Sequence, residues 1–401
     1  MHNDLDFRTL LPKWPVYDHT EMEGLQRALS SQSWWRGSGQ ESNSFESEFA
    51  EFLGVSHVRL TSSGAGALEI ALQLGGILPG DEVLVPACTF IATASAVLRL
   101  GGCPIPVDVT AETLCIDPAD MEAKITRRTK AVVPVHMAGQ ACDLDSVLEI
   151  SRRHGLFVIE DAAHAHGARW RGRPLGGFGD VAIFSFQNGK LMTSGEGGAV
   201  VTNRDDLAAR TFLLHSCGRP EGDTDYEHRE IAGNWRPTEF SAALLRAQLA
   251  RLPGQLERRE AGAARLDSAM ARQGDIVPLR RDPRTTLHSH YMAMYWIDRS
   301  SGRPFDAGAC AAELRGLGIP AFRCFPPVHK TGMFTPDQLK AVQGRSDLSF
   351  PDYSRVKMPV ADRASTHVIW FHHSVLLAEP EVLDALAACV GEVLESRRLA
   401  A

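Results

Sequence analysis

The chain has 401 residues, 44% of them hydrophobic and 23% charged, enough apolar sequence to bury a large core and to divide into two domains of one globular unit. A formal net charge of -7 leaves no basic footprint for nucleic acid or for an anionic membrane surface, so a small-molecule substrate is the expected partner. The eight cysteines form no C-x-x-C motif and no clustered metal-ligand set, so no metal is expected and the thiols read as buried groups in a reducing compartment.

Residues 1–15 carry Asp4, Asp6 and Arg8 where a signal peptide needs an apolar run, and no segment approaches ~18 consecutive apolar residues. A cytoplasmic location is therefore expected. A helical pattern follows in Glu21 to Leu29, then Trp34-Trp35-Arg36-Gly37-Ser38-Gly39, too aromatic for a plain linker and too glycine-rich for a helix. It is suited to covering a pocket or a subunit partner, which makes Arg36 a candidate substrate contact, with simple packing as the alternative.

From residue 57 short apolar runs alternate with helical ones. Seven strands are expected: Val58 to Thr61, Glu82 to Pro86, Ile105 to Val109, Ala131 to His136, Phe157 to Asp161, Val181 to Phe186 and Ala199 to Thr202. Between them, helical patterns run over Ala67 to Ile77, Ile91 to Leu100, Pro118 to Ile125 and Leu144 to His154. This alternation predicts an α/β fold, a largely parallel sheet with helices on both faces, which binds ligands beyond the carboxyl ends of its strands. A long helical region, Thr238 to Leu266, broken by Pro253-Gly254, is expected to lead into a smaller α+β domain. That domain holds a strand around Tyr291 to Ile297, a helix from Asp306 to Leu317, an irregular Pro-rich stretch from Phe325 to Pro359 and a final helix from Pro380 to Arg397. The expected domains are 1–252, with the N-terminal arm, and 253–401.

Four sites at strand ends combine into one chemical demand. Thr61-Ser62-Ser63-Gly64-Ala65-Gly66-Ala67 stands between a strand and a helix, where free amides and the Ser63 hydroxyl suit a phosphate. It matches neither the dinucleotide nor the nucleoside-triphosphate glycine fingerprint. In Glu160-Asp161-Ala162-Ala163-His164, Asp161 falls where a strand runs out and is placed to keep a heteroaromatic nitrogen protonated, with His164 supporting the same ring. Phe90, after the second strand, offers a face for a planar group. Ser185 precedes Lys190 by five residues, and Lys190 sits between small residues where desolvation would free its amine to attack a carbonyl. A phosphate cradle, a stacking face, a carboxylate and a carbonyl-seeking lysine together describe a site for pyridoxal 5′-phosphate.

With these motifs in that order, ending in Ser185-Phe186-x-x-x-Lys190 and Gly195-Glu196-Gly197-Gly198, the chain resembles the DegT/DnrJ/EryC1/StrS family of fold-type-I pyridoxal-phosphate enzymes from about Trp14 to the C-terminal helix. The resemblance implies that Lys190 joins the cofactor covalently, Asp161 binds its ring nitrogen, Phe90 stacks on the ring, and Ser63, Gly64, Ala65 and Ser185 hold the phosphate. It also implies that Asn234, in Ala232-Gly233-Asn234-Trp235-Arg236-Pro237, reaches the phosphate of a neighbouring subunit, hence a homodimer with shared sites. Ala65 departs from the family pattern by lacking a threonine hydroxyl, and Ala232 and Pro237 replace the usual Gly and Met.

The strings Pro134 to Gly139, Ser185 to Thr193, His215 to Pro220 and His290 to Met294 are most similar to those of the branch that makes 3-amino-5-hydroxybenzoate. That likeness implies loss of water from an aminodeoxy-dehydroshikimate-like ring, followed by aromatisation. The same residues also suit transamination of a keto sugar, keto cyclitol or dehydroshikimate-type ketone, with glutamine or glutamate as donor. Arg219 is a candidate for a ring carboxylate, because guanidinium meets it bidentately, with a surface or interface arginine as the alternative. His329 is a further candidate from the second domain, against packing or solvent exposure.

Overall fold

Five-residue runs such as Glu82–Pro86 and Val181–Ser185 are buried at every position, which only interior strands covered on both faces allow. The computed structural model, which describes residues 6–298, 305–343 and 350–399, assembles them into one seven-stranded sheet. Its strands are β1 (His57–Thr61), β2 (Glu82–Pro86), β3 (Cys103–Val107), β4 (Thr129–Val132), β5 (Phe157–Asp161), β6 (Val181–Ser185) and β7 (Gly198–Thr202). The order is β1-β7-β6-β5-β4-β2-β3, parallel from β6 through β3, with β7 antiparallel to both its neighbours. All seven expected strands are present, with ends shifted by a few residues.

Helices cover both faces. On one, Phe45 and Phe49 of Glu41–Leu53, Leu144 and Val147 of Leu144–His154 and Leu245, Leu249 and Leu252 of the long helix share a core with the sheet. On the other, Ala67 and Ile70 of Gly64–Leu74, Ala94 and Val97 of Ala92–Arg99 and Leu207 and Leu214 of Asp205–His215 do the same. Each fully buried Leu or Phe contributes ~1.5–3 kcal/mol by leaving water, so these two layers hold the sheet in place.

The long helix departs from expectation. It runs unbroken over Glu239–Ala271 with Pro253 inside it, so the expected boundary after residue 252 falls within a helix. Pro253 removes one backbone bond and costs ~3 kcal/mol. Leu249, Leu252 and Leu256 on the first core and Ala263, Leu266 and Met270 on the second offset that loss. The second core also takes Phe7 from the N-terminal arm, while Trp14 of the same arm reaches Asn188 beyond β6.

That layer is an antiparallel sheet, Ile276–Pro278, Met292–Ile297, Val368–His372 and Ala321–Arg323 in spatial order, packed by Ala307–Gly316 and Pro380–Leu399. The stretch from Phe325 to Pro359 holds short helical turns and the helix Pro336–Gln343; its residues 344–349 lie outside the described residues, as do residues 1–5. No described helix is long and apolar enough to cross a membrane.

Candidate active site

The register of three strands builds one end of the site. Thr61 and Ser185 both pair with Gly198, which brings the β1 loop and the end of β6 together. A Cβ on Gly198 would stand 2.4 Å from the Ser63 carbonyl carbon, and one on Gly64 2.7 Å from the Ser185 Cβ, so both positions require glycine for this approach. Ser63 caps the helix Gly64–Leu74, its Oγ accepting from Gly66 N at 3.0 Å, which leaves the hydroxyl proton to donate outward. With the free first-turn amides, this is an anion-binding end.

Beyond the carboxyl ends of β1, β5 and β6 lies a cavity of about 470 Å³. Ser63, Gly64, Ala65, Phe90, Asp161, His164, Ser185 and Lys190 all line it, and Tyr291, Met292, Phe325 and Trp370 close it from the smaller layer.

Asp161, the last residue of β5, is buried; its Oδ2 accepts from Thr93 Oγ1 at 3.1 Å and its Oδ1 from Ala163 N at 3.2 Å. Burial pushes its carboxyl above the ordinary range, against the pull of those donors and of Lys190. Lys190 Nζ lies 4.5 Å from the centre of the Tyr291 ring. Burial brings its amine down to about 8, offset in part by Asp161. His164 stacks on Tyr291 with ring centres 4.3 Å apart, and its buried Nδ1 has no partner. Burial, then the nearby Lys190 charge, holds that imidazole well below its ordinary range, so it is neutral.

The remaining candidates lie off this cavity. Arg36 is buried and bound by Glu46 through two contacts of 3.2 and 2.7 Å, beside the Phe212 ring. Arg219 is held by Asp223 at 3.0 Å and lies over Tyr226. His329 is buried in the turn Val328–Lys330, and neither ring nitrogen has a partner. Asn234 is exposed, with its Oδ1 3.4 Å from Arg236 N. Two of the lining residues outside the sequence candidates, Tyr291 and Thr93, make polar or ring contacts to candidate residues. Tyr291 had a signal, its place in the His290-to-Met294 string; Thr93 had none, being one more small residue in an apolar helix. Among the described residues no group of three or more His, Cys, Asp and Glu is placed to hold a metal.

Residues 15–389 match the model of the DegT/DnrJ/EryC1/StrS aminotransferase family. The chain belongs to that family. Among DegT/DnrJ/EryC1/StrS relatives, 3-amino-5-hydroxybenzoate synthase of Amycolatopsis mediterranei is 43% identical over 385 residues, covering 96% of this chain and 97% of that one. The L-glutamine:2-deoxy-scyllo-inosose aminotransferase of Streptoalloteichus tenebrarius is 36% identical over 402 residues, covering 96% and 94%. A crystal structure of 3-amino-5-hydroxybenzoic acid synthase superposes with a TM-score of 0.88 at 42% identity, covering 96% of this chain and 99% of that one.

The chain is an enzyme of the aminotransferase family, and its cofactor is pyridoxal phosphate. The cavity fits that group, its lining combining an anion-binding helix end closely packed at Gly64, a buried carboxylate, an unpartnered His164 nitrogen and a desolvated lysine.

Proposed function

We propose that the chain removes water from an amino-substituted, dehydroshikimate-like ring and so forms 3-amino-5-hydroxybenzoate, with Lys190 as both the cofactor's covalent anchor and the proton carrier. The 43% identity to a named synthase over 96% of the chain carries this reading. Bound pyridoxal phosphate supplies a cationic ring that takes up the electron pair left when the carbon bearing the substrate amine loses its proton. Ser63, Gly64, Ala65 and Ser185 hold the phosphate, Asp161 keeps the ring nitrogen protonated, Phe90 covers one face and His164 supports the ring edge. Lys190 takes the proton at the amine carbon in its unprotonated form, a minority at neutral pH that burial enlarges by bringing the amine down to about 8.

Among the described residues Lys190 is the single side chain of Lys or Arg type lining the chain's own cavity. A substrate carboxylate is therefore met by a second copy, and Arg219 and Asn234, both off their own cavity, are the groups a homodimer would exchange. Any substrate role for Arg36 or His329 likewise requires contacts beyond the chain's own cavity lining.

A second reading has its own support. Relatives that aminate inosose ketones are 36% identical, and the same Lys190 can carry a proton between the amine carbon and the cofactor, returning nitrogen from glutamine or glutamate to a ring ketone. Borohydride reduction and peptide mapping test what both readings share, expecting the label on Lys190; a label elsewhere, or none, removes both. Dependence of turnover on an amino donor then separates them.

A further inference from the structure

The turn that presents Lys190 is held from outside the cavity. Within it, Lys190 N donates to Gln187 O at 2.8 Å and Gly189 N to Gln187 Oε1 at 2.8 Å. Its outward carbonyls are taken by two distant elements: Trp14 Nε1 donates to Asn188 O at 2.9 Å, and His373 Nε2 lies 3.2 Å from Gly189 O. Trp14 and His373 meet edge to face, ring centres 4.5 Å apart.

Behind both rings lies Arg259, with no exposed surface. Its Nη1 donates to Gln255 Oε1 at 3.2 Å and its Nη2 to His373 Nδ1 at 3.2 Å, and its guanidinium carbon is 5.3 Å from the Trp14 ring centre. Among the described residues no carboxylate lies within ion-pair distance of it, and burial brings it down to about 9, so it is still charged at neutral pH. An unpaired buried cation is costly, which makes its few contacts the feature to explain.

Those contacts fix the chemistry of His373. A guanidinium only donates, so His373 Nδ1 must accept, and the ring's one proton is left on Nε2, facing Gly189 O. Burial, followed by the Arg259 charge, keeps this imidazole well below its ordinary range and so neutral, with its tautomer set. None of Arg259, His373 or Trp14 lines the cavity.

We infer that Arg259 is a positioning residue for Lys190: it locks the His373 tautomer that grips Gly189 O, while Trp14 grips Asn188 O, so that the turn holds the lysine amine toward the cavity. The inference rests on the proposed role of Lys190 as cofactor anchor. Cofactor capture and cofactor binding separate it from a general packing role, because pyridoxamine phosphate fills the same cavity but cannot bond to a lysine. In Arg259→Met and His373→Phe, capture of pyridoxal phosphate at Lys190, read by borohydride quenching, falls about tenfold, while the Kd for pyridoxamine phosphate stays within about twofold. His373→Gln, which can both accept from Arg259 and donate to Gly189 O, restores capture, and Trp14→Phe gives an intermediate loss. Parallel weakening of both ligands, or normal capture in Arg259→Met and His373→Phe, would overturn the inference. Hydrogen exchange of the Gly189 and Lys190 amides in the cofactor-free protein reads the turn directly. Exchange about tenfold faster in Arg259→Met and His373→Phe is expected, and unchanged exchange overturns the inference even if the anchor role of Lys190 itself has failed.

Discussion

Thr93 donates its hydroxyl to Asp161 Oδ2 over 3.1 Å, from a helix on one face of the sheet to the last residue of a central strand. Together with the Ala163 amide on Oδ1, it fixes the plane of a carboxylate that is 4% exposed. Removing the hydroxyl leaves a buried acceptor less well satisfied. Thr93→Val is expected to lower stability by about 1–2 kcal/mol in urea unfolding and to slow turnover about tenfold, with Thr93→Ser close to the parent. Parent-like turnover in Thr93→Val would show that the carboxylate needs no such hold.

Lys190 gives a pH signature in the cofactor-free protein. Its amine titrates at about 8 when folded, against 10.5 ordinarily, because burial penalises the charged form. The native state thus binds fewer protons than the unfolded chain between those values, and stability rises with pH across that window. Below pH 8 both states hold the proton and the penalty is fully present. Lys190→Met is expected to be more stable than the parent at pH 7, by on the order of 2–3 kcal/mol, with the gap closing toward pH 10.5. Urea unfolding at pH 7 and pH 10 checks this, and equal stability at pH 7 contradicts it.

Gly198 admits no side chain, because the atoms a Cβ would meet at 2.4 to 2.6 Å are the backbone of Ser63 and Gly64. Gly198→Ala must push the β1 loop away from β7. The expected outcome is a loss of ~1–3 kcal/mol in thermal unfolding and a weaker Kd for pyridoxal phosphate. Unchanged affinity would mean that this end does not hold the phosphate.

Ala65 is exposed at the same end, so a threonine has room there. Ala65→Thr is expected to tighten pyridoxal phosphate about fivefold through one added hydroxyl donor. Affinity at or below the parent's, measured by equilibrium titration, would show that backbone amides already satisfy the phosphate.

The large sheet was legible because each strand is a short apolar run bounded by turns. That Lys190, Asp161 and Ser63 would share one cavity was legible because they follow strands in a fixed order. The break expected at Pro253 does not occur, because the local penalty is visible in sequence and the two cores that outweigh it are not. Phe7 likewise gives no sign that it will cross to the second core, nor Arg259 that it will be buried 3.2 Å from His373. Arg36 shows the converse: its neighbours suggest a pocket, whereas its charge is taken by Glu46 from the helix Glu41–Leu53.

The most direct test of the proposed reaction is turnover without an amino donor. The purified enzyme, loaded with pyridoxal phosphate, is mixed with aminodeoxy-dehydroshikimate, with no glutamine, glutamate or keto acid, and the product mass is followed over many turnovers. Sustained loss of one water per substrate, giving an aromatic amine, is the predicted result. Conversion of the cofactor once to pyridoxamine phosphate and then arrest, or no reaction until an amino donor and a ring ketone are supplied, would contradict dehydration and establish the transaminase reading.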